Sequence, residues 1–484
     1  MTIKRVLLIT LFGLIFVMAT RIPVDTDTWW HLRSGEYTLN EGMIYQDPFS
    51  HTKFGEDWTN HSWGSQIIMY AAYELAGNLG LAVLTAALAT GGLALLYPIS
   101  VGNPYMRAFV LMFGATAAAV FWSARPQMFS FFLSGLMLFI LYKYKREQKD
   151  YLWGIPPMML IWGNLHAGFS IGFIFMGGFI AGEILNNLFN KNGAEVVSFK
   201  RLRKVILVAM ISVPALVVNP YGFDMLLVPF DTVSIGALRQ YIQEWQSPNF
   251  QGRETWGFIA LVIALMGALG ASRRKLDWAD FVLLSGTLFM ALLYGRNISV
   301  FAVVAVPVLT VHLDSMLEER GWNFKPRSRV SRSQSRINTA LVVLIVLGVI
   351  GNTFAILNKE TVDTTQRARL PVQAAEFIAA ERPAGLMFNS YNWGGYLLWA
   401  LPDYPVYVDG RTDLYGSDFL LRWMRAATGQ PEWREILDED GINLVVIEQG
   451  SGLAERLSEA DDWVQIYPNL DYIDDLMVVI YVRD

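Results

Sequence analysis

Apolar runs of roughly bilayer-spanning length recur along the chain as far as residue 357. They fall near residues 5–22, 79–99, 107–122, 128–144, 152–164, 168–188, 204–219, 255–271, 277–294, 298–316 and 338–357. The pattern predicts about eleven transmembrane helices. The fifth run is short and holds Pro156 and Pro157. The run 63–75 is too short to span and reads as an interfacial helix ahead of the second span. The first run follows Lys4 and Arg5, as in a signal peptide, but no small-x-small cleavage site precedes the next polar stretch, so it reads as a retained anchor.

Beyond residue 357 the pattern changes. Short apolar runs at 385–389, 406–408, 444–447 and 477–482 read as strands, and 371–380 and 417–428 as helices. Asn392-Trp393-Gly394-Gly395, Asp409-Gly410 and Asp440-Gly441 read as turns. The expected architecture is a polytopic α-helical membrane domain, residues 1–357, with a long first external loop at 23–62. A soluble extracytoplasmic α/β domain, 358–484, follows it. The chain shows no internal repeat, which argues against a solenoid.

Basic residues set the expected orientation. If the loops alternate sides, one side receives Lys4 and Arg5; Lys143, Lys145, Arg146 and Lys149; Lys200, Arg201, Arg203 and Lys204; Arg273, Arg274 and Lys275; and Lys325, Arg327, Arg329, Arg332 and Arg336. That side is cytoplasmic by the positive-inside rule, which leaves the N-terminus inside and the C-terminal domain outside. Composition agrees with lipid as solvent: 53% of residues are hydrophobic and 17% charged, against about 25% charged in soluble domains. The net charge of −5 gives no reason to expect a nucleic-acid partner, and the lack of Cys excludes disulfides and thiolate metal sites.

Polar chemistry gathers on the outer side. Four of the five His residues (His31, His51, His61 and His166) fall there. The first external loop opens with Asp25-Thr26-Asp27-Thr28-Trp29-Trp30-His31-Leu32-Arg33. A carboxylate here can act as general base or hold a divalent metal, and Arg33 and His31 can neutralise a phosphate. The plainer alternative is that Asp25 and Asp27 cap a helix starting near Thr28. Arg125 and Arg296, at outer helix ends, are either snorkelling anchors or phosphate ligands. His166, in an Asn-Leu-His-Ala-Gly turn, either joins them or bonds to backbone. Asn219, Tyr221, Glu244 and Trp245 line the second large loop as cleft or interfacial residues.

The stretch from Asp25 to Gly42 resembles the first external loop of the GT-C membrane glycosyltransferases. In outline it is similar to that of the oligosaccharyltransferase catalytic subunit, with Asp25, Asp27, Trp29, Trp30, Arg33, Tyr37 and Gly42 at the matching positions. The segment Tyr391 to Trp399 resembles that subunit's WWDYG-type segment, with Asn392 and Trp393 near the place of its missing acid. The resemblance implies transfer of a sugar from a polyprenyl-phosphate-linked donor to a glycan, lipid or protein acceptor on the outer face, with inversion. Asp27, or alternatively Asp25, would be the general base. His31, Arg33, Arg125, His166 and Arg296, with Trp29 and Trp30, would hold the donor, and Tyr391, Trp393, Asp409, Arg411 and Asp413 would stand on the acceptor side. Metal-dependent relatives add an acidic motif in a later external loop. Here that connection carries Arg125 and no acid, which favours neutralisation by protein cations over a divalent metal, with Asn164 and His166 as the alternative ligands. The rival readings are a transporter or flippase and a non-catalytic relative. Transporters place ionisable residues near mid-membrane, and few fall there in this chain.

Overall fold

The structure, a computed structural model, describes residues 1–484 apart from 192, 194, 237–242, 323–329 and 470–476. Lys325, Arg327 and Arg329 therefore lie outside the described residues. Up to residue 356 the described helices are α1 (Ile3–Ala19), α2 (Asp27–Asn40), α3 (Trp63–Leu96), α4 (Pro104–Ala118), α5 (Gln127–Arg146), α6 (Ile155–Leu165), α7 (Phe169–Phe189), α8 (Phe199–Leu216), α9 (Asp224–Ser234), α10 (Trp256–Ala271), α11 (Trp278–Leu293), α12 (Ile298–Glu319) and α13 (Arg332–Ile356). A helix covers each of the apolar stretches read from the sequence. Seven helical segments among the described residues are long and apolar enough to cross a membrane. The chain is a mostly helical membrane protein with a small sheet domain.

Two details follow from local chemistry. Pro156 and Pro157 stand in the first turn of α6, where a missing N–H costs no helical hydrogen bond. The α3 helix breaks at Ala76 and Gly77, whose dihedrals are non-helical, so the segment from Trp63 is separated from the apolar run that ends at Leu96.

The chain forms two compact units. The first comprises Met1–Arg21, Ala82–Leu226 and Gln243–Ile356; the second comprises Ile22–Leu81, Leu227–Ile242 and Leu357–Asp484. Residues 23–62, expected as the first external loop, thus fall with the C-terminal tail, not with the long helices of the first unit.

In the first unit the basic ends of the helices are tied by ions. Arg107, Lys143 and Arg146 donate to the consecutive carbonyls of Tyr97, Pro98 and Ile99, just past α3. Cations there offset the negative end of a helix dipole. Buried Lys145 pairs with Glu183 of α7 and, at 3.1 Å, with Asp277 ahead of α11.

The second unit is built on a four-stranded sheet of order β1-β2-β4-β3: β1 (Leu386–Asn389), β2 (Ile442–Glu448), β3 (Trp463–Tyr467) and β4 (Val478–Arg483). The β1–β2 pair is parallel and the other two pairs are antiparallel. Around it lie α14 (Lys359–Arg367), α15 (Val372–Glu381), α16 (Tyr391–Ala400), α17 (Thr412–Ala427), α18 (Trp433–Glu439) and α19 (Gly452–Ser458). Alternation along β2 divides the core. Val445 and Ile447 pack with Phe388, Ile436, Leu437 and Leu457. Leu444 and Val446 pack with Ile378, Leu397, Leu398 and, from the segment 23–62, Trp30, Ile44, Phe49 and Trp58. Burying each such aromatic contributes roughly 1.5–3 kcal/mol, so the segment is part of this core.

The expectations for the tail need three corrections. Residues 406–408 are not a sheet strand. Their buried backbone is satisfied elsewhere: Ser50 bridges Val406, and the Asn389 side-chain amide accepts from Tyr407 N at 2.8 Å and donates to Val408 O at 2.7 Å. The Asn392-Trp393-Gly394-Gly395 stretch is not a turn but the first part of α16. Its glycines serve close approach, since β-carbons there would collide with Val408 O and, at 2.5 Å, with Thr26 O. The missed strand β3 is an edge strand with two exposed positions in a row, so it lacks a period-2 signal.

Candidate functional site

In the second unit the acidic segment begins α2. Asp27 is the first helical residue, and its backbone N–H donates to Asp25 Oδ1 at 3.1 Å. Asp25 therefore does the helix-start work that the plainer sequence reading assigned to both acids. The Asp27 carboxylate is held differently. Its Oδ1 accepts from the Trp30 indole Nε1 at 3.1 Å, one helical turn on. Gly410 lies against it: a β-carbon at Gly410 would overlap Oδ1 and come within 2.9 Å of Cγ. Both carboxylates are half-buried.

The remaining residues of the motif take separate positions. Trp29 is buried and packs edge-on to Tyr396 of α16, ring centroids 5.3 Å apart. His31 is buried beneath the Trp30 ring, and its Nδ1 meets Gln66 Nε2 at 3.2 Å. Gln66 in turn exchanges hydrogen bonds with Asn60 at 2.7 and 2.8 Å. Arg33, half-buried, pairs with Glu36 at 2.5 Å along the same helix.

The loop Asp409-Gly410-Arg411 is fixed by a fully buried ion cluster. Arg411 Nε donates to Asp409 Oδ1 at 2.8 Å and Nη2 to Oδ2 at 2.6 Å, while Nη1 donates to Asp47. Tyr415 Oη donates to Asp409 Oδ2 at 3.0 Å. The guanidinium lies 4.9 Å from the Trp58 ring centroid and 5.2 Å from that of Phe49. Burial works to lower the Arg411 pKa, but the two carboxylates outweigh it and hold it well above its ordinary value. Arg411 thus pairs with Asp409 and not with the nearby Asp413. Asp413 stands instead in the first turn of α17, is exposed, and accepts from Trp58 Nε1 at 3.1 Å. Tyr391 is half-buried beside Trp423, whose Nε1 donates to Asn389 O at 3.0 Å, and Trp393 is buried in the core.

A second cluster lies in the first unit. Arg125 and Arg296, far apart in sequence, converge on Glu244. Arg125 Nη1 is 3.2 Å from Oε2, and Arg296 Nη1 is 3.7 Å from Oε1. Arg296 also lies over the Trp245 ring, 4.4 Å from its centroid. Burial acts to raise the Glu244 pKa, but the two guanidinium groups overcome it and hold the carboxyl below its ordinary value. Asn219 Nδ2 donates to Gly163 O at 3.1 Å, joining the loop to the end of α6. His166 caps that end. Its Nδ1 accepts from Gly168 N at 3.0 Å and faces Ser130 Oγ at 2.8 Å. A ring nitrogen that accepts a backbone N–H carries no proton itself, so the neutral imidazole is protonated on Nε2. Ser130 Oγ accepts from Trp162 Nε1 at 2.7 Å. Asn164 donates to the Leu160 and Val218 carbonyls, both at 2.9 Å.

Asp47, Trp58, Gln66 and Ser130 were not singled out by the sequence. Asp47-Pro48-Phe49-Ser50 carries a turn signal, and the Asp47 carboxylate does accept from Phe49 N and Ser50 N, each at 3.1 Å. Its partnership with Arg411, 364 residues away, had no local signal. Among the described residues no three His, Asp or Glu side chains gather as ligands for a metal ion.

The chain has the fold of the GT-C membrane glycosyltransferases. Solved structures similar to it include the archaeal oligosaccharyltransferase AglB from Archaeoglobus fulgidus, in complex with an inhibitory peptide and a dolichol-phosphate. That match has TM-score 0.55 and 11% identity, over 91% of this chain and 69% of AglB. Another is ArnT from Cupriavidus metallidurans in the apo state, with TM-score 0.51 and 14% identity over 97% of this chain and 95% of ArnT. No family profile and no curated protein matches the sequence.

Proposed function

We propose that this chain is a membrane glycosyltransferase that moves a sugar from a polyprenyl-phosphate-linked donor to an acceptor on the outer face of a bacterial plasma membrane. The observation that carries the reading is the half-buried Asp27 carboxylate, oriented by Trp30 at the start of α2, in a fold shared with AglB and ArnT. AglB binds a dolichol-phosphate and a peptide in its complex, and an analogous lipid carrier and acceptor are assigned here by likeness. The reading places the N-terminus in the cytoplasm, makes all eleven apolar stretches membrane spans, and puts the sheet domain outside.

The acceptor's nucleophilic atom attacks the anomeric carbon of the donor sugar. Its bond to carbon forms as the bond from carbon to the phosphate oxygen breaks, and the leaving polyprenyl phosphate takes the electron pair. Asp27 receives the acceptor's proton, and the displacement inverts the anomeric centre. Neutralisation of the phosphate is assigned to Arg125, Arg296 and His166 by the resemblance alone. Asp25 orders the helix start. On the acceptor side the accessible candidates are Tyr391 and Asp413; Asp409, Arg411 and Trp393 act by shaping the surface from beneath.

The direct test is release of undecaprenyl phosphate from an undecaprenyl-phosphate-linked hexose by purified protein supplied with candidate acceptors. Release that depends on acceptor supports transfer. Movement of the intact donor across a liposome membrane without release would establish the transporter reading instead.

A further inference from the structure

Gly410 touches the acid on which the proposed chemistry depends. Its backbone is not in the left-handed region, so conformation does not demand glycine there. Space does. A β-carbon would overlap Asp27 Oδ1, lie 2.9 Å from Asp27 Cγ and lie 3.1 Å from Trp30 Nε1. The Asp27 carboxylate is thus bounded by the Trp30 indole N–H on one side and by bare main chain at Gly410 on another.

That main chain is unusually well fixed. The residues on either side of Gly410, Asp409 and Arg411, are both fully buried and bonded to each other through two nitrogens of the guanidinium. Arg411 N also donates to Asp409 Oδ1 at 2.9 Å, closing the loop on itself. Asp47 holds the third guanidinium nitrogen, and Tyr415 holds the free edge of Asp409. A loop braced at both neighbours cannot yield when a side chain presses on it.

We propose that Gly410, with the Asp47–Arg411–Asp409 cluster behind it, is a positioning device for Asp27. The rigid main chain sets which way the carboxylate faces, and any side chain at 410 turns it away from the proton it must take. This rests on the reading of Asp27 as base. Gly410 acts through Asp27 and is a positioning residue, not a catalytic one.

The test is a cycle of Gly410→Ala and Asp27 variants, read by undecaprenyl phosphate release from an undecaprenyl-phosphate-linked hexose and by the thermal unfolding midpoint. Misplacement of a reacting group by about 1 Å costs on the order of 10²-fold in rate. Gly410→Ala is therefore expected to lower kcat by about that factor with KM for the donor unchanged, and to cause no further loss in an Asp27→Asn background. Its midpoint should fall, and Asp27→Ala, which removes the atoms the new methyl meets, should restore it. Full kcat in Gly410→Ala, an equal fractional loss in both backgrounds, or no recovery of the midpoint by Asp27→Ala would each overturn the inference. If Asp27→Asn alone transfers sugar normally, it is the base assignment that fails, and the midpoint arm still decides whether Gly410 packs on Asp27.

Discussion

The Trp30 indole donates to the Asp27 carboxylate from one turn along the same helix, at 3.1 Å. The indole is itself buried in the core of the sheet-containing unit, so the carboxylate is oriented by a group that cannot rotate away. Trp30→Phe keeps a ring in that core and removes only the donor. A hydrogen bond to a charged group contributes about 1.5–3 kcal/mol. We expect kcat to fall roughly tenfold with donor affinity retained. Unchanged kcat in a folded Trp30→Phe protein would show that the indole does not orient the acid.

Glu244 occupies the two guanidinium groups that the proposed function gives to the phosphate. Glu244→Gln removes the competing anion, and inorganic phosphate or undecaprenyl phosphate should bind about tenfold more tightly. The folded-state pKa of Glu244 is depressed, so its contacts contribute stability above its unfolded pKa, about 4.3, and lose it as pH falls through the lower folded value. The advantage of Glu244→Gln should therefore be present above the ordinary glutamate pKa and be lost only below it, as pH falls through the depressed folded value and the carboxyl protonates. Isothermal titration across that range checks both the sign and the window. Weaker anion binding by Glu244→Gln would show that the carboxylate helps to build the site.

Arg411→Gln leaves the Asp409 and Asp47 carboxylates buried without their cation. Breaking a buried pair from one side costs about 3–5 kcal/mol. We expect a large drop in unfolding midpoint, and increased protease cleavage in residues 23–62 and in the tail together, because both contribute to one core. A loss confined to activity, with normal stability, would mean that Arg411 touches acceptor directly.

The proposed topology, read from the basic clusters, puts the C-terminus outside. A reporter fused after Asp484 should be active only when it reads an extracytoplasmic location. Activity restricted to a cytoplasmic reporter would reverse the map.

The helices were legible because a run of apolar residues is a local signal. Even the break in α3 showed, as the gap between the run ending at Leu75 and the one beginning at Leu79, where Ala76 and Gly77 leave helical dihedrals. The tail was partly legible. The strands β1, β2 and β4 announce themselves as apolar runs, while Trp463–Tyr467 is an edge with no clean alternation. Residues 406–408 look like a strand and are not one, because the partner of Val406 is Ser50 of the distant first loop. Apart from Asp47, the acids and arginines of the site could be named one by one, yet not their pairing. Arg411 with Asp47, and Arg125 and Arg296 with Glu244, join positions whose separation along the chain no periodicity encodes.

Asp27→Asn tests the central claim most directly. The substitution is nearly isosteric, keeps an oxygen for the Trp30 indole, and removes the ability to take a proton as a carboxylate does. The measurement is the turnover of an undecaprenyl-phosphate-linked hexose by folded Asp27→Asn protein, beside its affinity for the same donor. The account predicts a loss of about 10²-fold or more in turnover with affinity retained. Normal turnover would contradict it.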